Sequence, residues 1–355
     1  MVRFRWLVFC LPLVYLFFVS ASPARMSEED LLKYIEKKLR RNSVTLRINN
    51  KNLGDEGAKV LAGSPLLKSV KTLIIYKCNI GDRGVQALAD SPSLGNLTAL
   101  SLENNSITDQ GAKTLATAKT FSRLKSLNLY RNQVMDRGAM ALAESEVLAN
   151  LEELNLNYNQ IRDEGALHLT TSQALKNIKR IGLSYNPLGK DGDEALHRFK
   201  VVQKLHELHA QNQLEEMGQY ILGDMGVFAL LDLPYADDLK ELDLHGNDLS
   251  DHAVIALAQS PRLSGLIALN LAKNNITDVG ASALADSKTL TRLNALNLNF
   301  NSIGDVGAKS IARSQVLASL ESLKLGQNRI SGEGVLALEE SNSLTQLIHP
   351  IFGFY

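Results

Sequence analysis

The chain has 355 residues with 38 basic and 38 acidic side chains, so its formal net charge is zero, and 45% of it is hydrophobic. That balance suits one soluble globular unit and excludes both the basic excess of a nucleic-acid binder and a charged, disordered tail. Two cysteines, Cys10 and Cys78, are too few for a disulfide framework.

Met1 to Ala24 differs from everything after it. Arg3 and Arg5 precede an apolar run from Trp6 to Val19, and Ser20-Ala21-Ser22-Pro23-Ala24 follows. A charged start, a short apolar stretch and small residues form a secretory signal peptide over residues 1–24, with cleavage after Ala21 or Ala24. The run is short for a membrane span, so the expectation is an exported, periplasmic or secreted chain with no span after cleavage. An uncleaved N-terminal anchor is the alternative. Loss of Cys10 would leave Cys78 alone. Residues 25–43 hold SEEDLLKYIEKKLRR, with Ser27 and Asp30 at capping-box spacing and Leu31, Leu32, Ile35 and Leu39 on one helical face. This predicts an N-terminal helical cap.

From residue 44 to 347 one pattern recurs. A leucine-type residue falls at Leu46, Leu73, Leu100, Leu127, Leu154, Ile181, Leu208, Leu242, Leu269, Leu296 and Leu323, each 27 after the last except for the 34-residue step from Leu208 to Leu242. A second apolar residue two positions later gives the alternation of a short strand. Five positions on comes an asparagine, Asn105, Asn132, Asn159, Asn186, Asn247, Asn274, Asn301 or Asn328, whose amide suits a ladder that satisfies turn backbone. Lys51, Cys78 and Gln213 interrupt the series. An aspartate then precedes a GA-x-x-L helix: Asp55, Asp82, Asp109, Asp136, Asp163, Asp224, Asp251, Asp278 or Asp305. Each reads as the N-cap of its own helix.

A period of this length predicts an α/β solenoid of about eleven 27-residue repeats, with a parallel sheet on the concave face and helices on the convex one. Strands about 4.8 Å apart and helices about 9 Å apart require a rotation on the order of 20° per repeat, which makes a horseshoe. Residues 348–355 place Pro350 at the next leucine position, 27 after Leu323, and read as a C-terminal edge strand.

The text L-x-L-x-x-N-x-I followed by D-x-G-A-x-x-L-A-x-S resembles the leucine-rich repeat, in the helical subclass that includes ribonuclease inhibitor and the Ran GTPase-activating protein. Its GA-x-x-LA helix is similar to the GALA repeats of secreted bacterial effectors. The resemblance covers residues 44 to about 350. It implies a monomeric, non-enzymatic module without cofactor or metal that binds a protein partner on its concave face. Exported repeat proteins of animals and plants usually carry cysteine caps, which are missing here, so a bacterial effector or a surface or periplasmic protein is expected.

Outward-facing strand positions supply the candidate site. Tyr76, Tyr130, Tyr158 and Tyr185 fall there with Arg131, Lys77 and Arg180, and Phe300 and Lys273 continue the series. Tyrosine and arginine dominate binding hot spots, the plain alternative being rings stacked along a solvated face. A second patch puts Glu207 and His209 on one strand beside Glu241, Asp243 and His245 on the next, with His209 and Asp243 about 4.8 Å apart. A histidine held by a carboxylate could bind metal or move a proton, giving a metal-assisted hydrolase as one rival reading, against which degenerate repeats often carry such clusters without chemistry. A GTPase-activating protein of the Ran-activator type is the other rival, with Arg131 or Arg162 as its arginine. The seven extra residues are placed near 214–220, LEEMGQY, as a loop excursion. No nucleophile elbow, phosphate-binding glycine loop or zinc cysteine pair is present.

Overall fold

The computed structural model describes residues 26–348 and 351–352. The expected signal peptide with Cys10, and His349, Pro350 and the last three residues of the expected edge strand, lie outside them. No helix among the described residues is long and apolar enough to cross a membrane. The chain divides into two compact units, one running to Gln160 and including Ala174–Ile178, the other comprising Ile161–Gln173 and the chain from Lys179 onward.

The first unit opens with α1 (Glu28–Arg41). Ser27 accepts the Asp30 N–H at 3.1 Å and donates its hydroxyl to the Asp30 carboxylate at 2.7 Å, so the helix start is satisfied from both sides. Leu31 and Ile35 are its buried face. Strands β1 (Thr45–Asn49), β2 (Thr72–Tyr76), β3 (Ala99–Ser101), β4 (Ser126–Asn128) and β5 (Glu153–Asn155) then pair in parallel, each leucine beside the leucine 27 residues on. Helices α2 (Gly54–Gly63), α3 (Asp82–Ala89), α4 (Asp109–Thr117) and α5 (Asp136–Ala143) follow the first four strands. Small residues at their inner face, Ala58, Val85, Ala112 and Ala139, are fully buried against the leucines.

The asparagine ladder is as the sequence reads it. Asn132 donates its amide to the carbonyls of Leu102, Leu129 and Tyr130 at 3.0, 3.0 and 3.4 Å, and its oxygen accepts the Ile107 N–H at 3.1 Å. One side chain therefore serves backbone of two repeats. Where Cys78 takes the same place, the thiol reaches the carbonyls of Tyr76 at 3.3 Å and Ile48 at 3.6 Å, a weaker substitute, and burial pushes its pKa up. Serines that close the helices form a second ladder: Ser91 donates to Ala62 O at 2.6 Å. Ser64, first in that series, is buried without a partner because no repeat precedes it.

The aspartates correct the sequence reading. Asp55 and Asp224 are the second residue of their own helices and the others the first, and the carboxylates of Asp55, Asp82, Asp109, Asp163, Asp224, Asp251, Asp278 and Asp305 point away, to the start of the next helix. Asp82 accepts the N–H groups of Thr108 at 2.9 Å and Gly111 at 3.0 Å and the Thr108 hydroxyl at 2.6 Å. The same step links Asp55 to Gly81 and Asp109 to Met135. The N-cap proper is Thr108, whose hydroxyl accepts the Gln110 N–H. The carboxylate still meets the positive end of a helix, but of the following one. This explains the glycine after it, since a Cβ on Gly111 would lie 2.5 Å from Asp82 Oδ1 and 2.6 Å from Ile107.

The second unit begins with α6 (Asp163–Thr170), β6 (Arg180–Gly182) and α7 (Lys190–Ala210), and continues with α8 (Gly223–Asp232), β7 (Glu241–Asp243), α9 (Asp251–Gln259), β8 (Ala268–Asn270), α10 (Asp278–Ala285), β9 (Ala295–Asn297), α11 (Asp305–Arg313), β10 (Ser322–Lys324) and α12 (Gly332–Glu339). Strands β7 to β10 pair in parallel order with the same register. The backbone after α12 brackets β10: Ile348 N–H donates to Glu321 O and Leu325 N–H to Ile351 O, both at 2.9 Å.

Here the expected strand through Leu208 does not form. α7 has 21 residues, against 8 in α6, and carries Glu207 and His209 as helix residues. Val201, Leu205 and Leu208, spaced by four and three, are its buried side. The short 3-10 helix Leu214–Gln219 holds the strand's place instead, because Asn247 donates to Met217 O just as Asn274 donates to Leu244 O, 30 residues back in both cases. The 34-residue step therefore falls before residue 215, and the extra residues are absorbed in α7 rather than in a loop at 214–220. Tyr220, not Gln213, stands at the ladder position 27 before Asn247.

Candidate functional site

The residue four past each first leucine turns the chain from strand toward helix, and it does so with a left-handed backbone. In the first unit this residue is Asn50, Lys77, Asn104, Arg131 and Tyr158, with φ between 51° and 57°, and in the second Tyr185, Gly246, Lys273, Phe300 and Gln327, with φ between 57° and 65°. Glycine or asparagine meets that demand most easily, yet tyrosine, phenylalanine, arginine and lysine are held there at a cost of about 1–2 kcal/mol each. The turn alone gives no reason for large side chains. Strain kept at a surface position points to use of the surface.

Tyr130, at the end of the β4 turn, packs its ring against Tyr158 with centroids 5.0 Å apart and planes tilted by 59°. Its own N–H is held by Asn128 Oδ1 at 2.9 Å, and Asn155 holds the Asn157 N–H in the same way at 3.0 Å. These outward asparagines thus carry backbone duty that the alternation pattern does not reveal. Arg131 is exposed beside Tyr130, and Tyr158 is 38% exposed. Tyr76 ends β2, half-buried. So of the tyrosine row expected across three strands, the structure brings Tyr130 and Tyr158 together. Tyr185, 72% exposed, belongs to the second unit. There Phe300 is 47% exposed, with the Lys273 ammonium 5.9 Å from its ring centroid.

The histidine patch divides. His209 lies on α7 with its ring stacked on Tyr235, centroids 4.1 Å apart and planes 11° from parallel, while His206 meets Tyr235 at its hydroxyl, Nδ1 to Oη 3.3 Å. Burial pushes the Tyr235 phenol up to about 12. His209 is therefore a packing residue of the helix and not Asp243's neighbour on a strand. Asp243 and His245 do stand together at the end of β7: Asp243 Oδ1 takes the imidazole Nδ1 at 2.8 Å and the His245 N–H at 2.9 Å. Among the described residues no three histidine, cysteine, aspartate or glutamate side chains converge to hold a metal. The signal that distinguishes the two histidines was in the sequence, since residues 199–210, FKVVQKLHELHA, lack the serine or proline that ends the neighbouring helices.

Gly218 completes this corner. A Cβ there would lie 2.1 Å from His245 Nδ1 and 2.8 Å from Asp243 Oδ1. Gly218→Ala should cost about 1–2 kcal/mol in urea melts, since the imidazole must leave its place. In a His245→Ala background most of that loss should vanish. A loss of equal size in both backgrounds would mean that the turn, and not the ring, sets the requirement.

The model of a family described as "Leucine Rich repeat" matches eight segments, residues 67–89, 96–116, 123–143, 147–169, 238–258, 266–285, 289–312 and 316–338. No curated protein sequence matches the chain. Among solved structures it is similar to an internalin C2 of Listeria monocytogenes, 19% identical, with 80% of this chain and 81% of that one covered and a TM-score of 0.24. It is also similar to an internalin F of the same organism, 18% identical, with 82% and 92% covered and a TM-score of 0.28. At such low scores the assignment rests on the repeat text and the strand-turn-helix fold.

Proposed function

The chain is a leucine-rich-repeat protein, and from that premise we propose that it is an exported, non-enzymatic module that binds a protein partner on the exposed face of its sheets, read from sequence as the concave side. The observation that carries this reading is the set of large side chains kept at left-handed turn positions, Arg131 and Tyr158 in the first unit and Tyr185, Lys273 and Phe300 in the second. They contribute nothing to the turn that asparagine would not do better, and they supply the rigid aromatic and arginine area that binding hot spots use. The recurring asparagines, aspartates and serines of the repeat, by contrast, are consumed inside the scaffold by ladders and staples. Export rests on the charged, apolar and small-residue order of residues 1–24. A bacterial source is the companion expectation from the absence of cysteine caps.

The purified protein used as bait should capture a partner, and Tyr158→Ala should weaken that complex by about 2 kcal/mol or more, roughly 30-fold, with an unchanged melting curve. Lys176→Ala, away from the sheet face, is the control. Unchanged affinity in Tyr158→Ala, together with sensitivity at Asp243 or His245, would move recognition to the second unit.

A further inference from the structure

The first unit's sheet face carries a side-chain row that the repeat does not need. Tyr76, Glu103 and Tyr130 are the third residues past the first leucines of β2, β3 and β4. The backbone keeps them level beyond the strand ends, with Lys77 N–H donating to Glu103 O at 3.0 Å and Asn104 N–H to Tyr130 O at 2.8 Å. Adjacent strands lie about 4.8 Å apart, so a single carboxylate stands between two phenol rings. A groove of about 370 Å³ opens beside it, floored by Ile74, Ala99, Ser101 and Ser126 and closed at the β1 end by Arg47. No cation pairs with Glu103 among the described residues: its carboxylate has only the Asn128 amide, at 3.4 Å.

We propose that this Tyr76–Glu103–Tyr130 row receives a basic side chain, arginine in particular, presented by the protein partner. This rests on the sheet-face binding reading above. The carboxylate supplies the opposite charge, the flanking rings supply faces on which a planar guanidinium stacks, and the small floor residues leave it room. The surrounding cations define the rest of the partner. Lys77 and Arg131 follow the two tyrosines on the left-handed rim, and with Arg47 they repel further basic residues and attract acidic ones. The partner segment that fits is one basic residue flanked by carboxylates.

The test uses n-butylguanidinium as probe at about 0.15 M ionic strength, with purified protein labelled with 3-fluorotyrosine and followed by fluorine NMR. Single Tyr→Phe variants assign the signals. The Tyr76 and Tyr130 resonances should shift along a saturable curve while that of Tyr235 stays still. Glu103→Gln, an isosteric change on a surface position, should raise the midpoint at least about fivefold with the melting temperature unchanged. Hexanoate should leave all three signals in place. A flat titration, an equal response at Tyr235, an unmoved midpoint in Glu103→Gln, or a response to hexanoate would each overturn the assignment. If it fails while Tyr158→Ala still weakens the captured complex, the sheet-face reading stands and only the chemistry of this row is removed.

Discussion

Asn159→Ala is expected to lower the unfolding free energy by about 3 kcal/mol, among the largest effects of any single truncation in this chain. Asn159 is only 6% exposed, and its amide donates to the carbonyls of Leu129, Leu156 and Asn157 at 2.9, 3.0 and 3.3 Å while its oxygen accepts the Val134 N–H at 3.0 Å. Truncation to a methyl strands four backbone groups in a place too tight for water to serve them all. Asn155→Ala, at the end of β5 on the outward face, removes one acceptor from the Asn157 N–H, which solvent can replace, and should cost about 0.5–1 kcal/mol. Equal losses in urea melts would mean that the ladder is no more than a surface decoration.

Asp251→Ala should come next, at about 2–3 kcal/mol, because one carboxylate fastens α9 to the start of α10. It takes the Thr277 N–H at 2.9 Å, the Thr277 hydroxyl at 2.6 Å and the Gly280 N–H at 3.0 Å. Asp251→Asn keeps the acceptor and loses the charge, so about half the cost should return. If the aspartate instead capped its own helix it would not couple to Thr277, so a double-mutant cycle of Asp251→Ala with Thr277→Val, read in urea melts, decides between the two. The same geometry carries a pH consequence at Asp305. The Ser331 hydroxyl, helped by the Ser331 and Gly334 N–H groups, holds its carboxyl below the ordinary aspartate range. The folded value is depressed, so the stability it contributes is complete above the ordinary aspartate value and is lost as pH falls through the folded one.

The period of 27 made strands, ladder asparagines and helices legible, because each depends on local pattern and on one residue type doing one job. The aspartate's direction was not legible. A carboxylate at the first helical position reads the same whether it turns to its own helix or to the next, and only the spacing between helices decides. The strand through Leu208 failed for a different reason: Leu205 and Leu208 fit the leucine grid, while Val201 with them fits a helical face equally, and the uninterrupted run of helix formers settled it. The tyrosines were legible as outward residues, but not the left-handed backbone of Tyr158 and Tyr185, nor the packing of Tyr130 against Tyr158.

The helix α8 begins unlike its neighbours and like the first repeat. Leu222 and Gly223 adopt helical and left-handed conformations, the latter at φ +61°, as Leu53 and Gly54 do with Gly54 at φ +59°, and the atoms nearest a Cβ on the glycine one turn on belong to that leucine and not to an aspartate. The residue before it in the staple series is Lys190, at the first position of α7, where the others have aspartate. An array whose interior contains a second beginning is a chain with a fault line. Hydrogen exchange should show the amides at the start of α8 opening independently of those in α9 to α11, so that under load or mild denaturant the molecule yields in segments and not as one cooperative block.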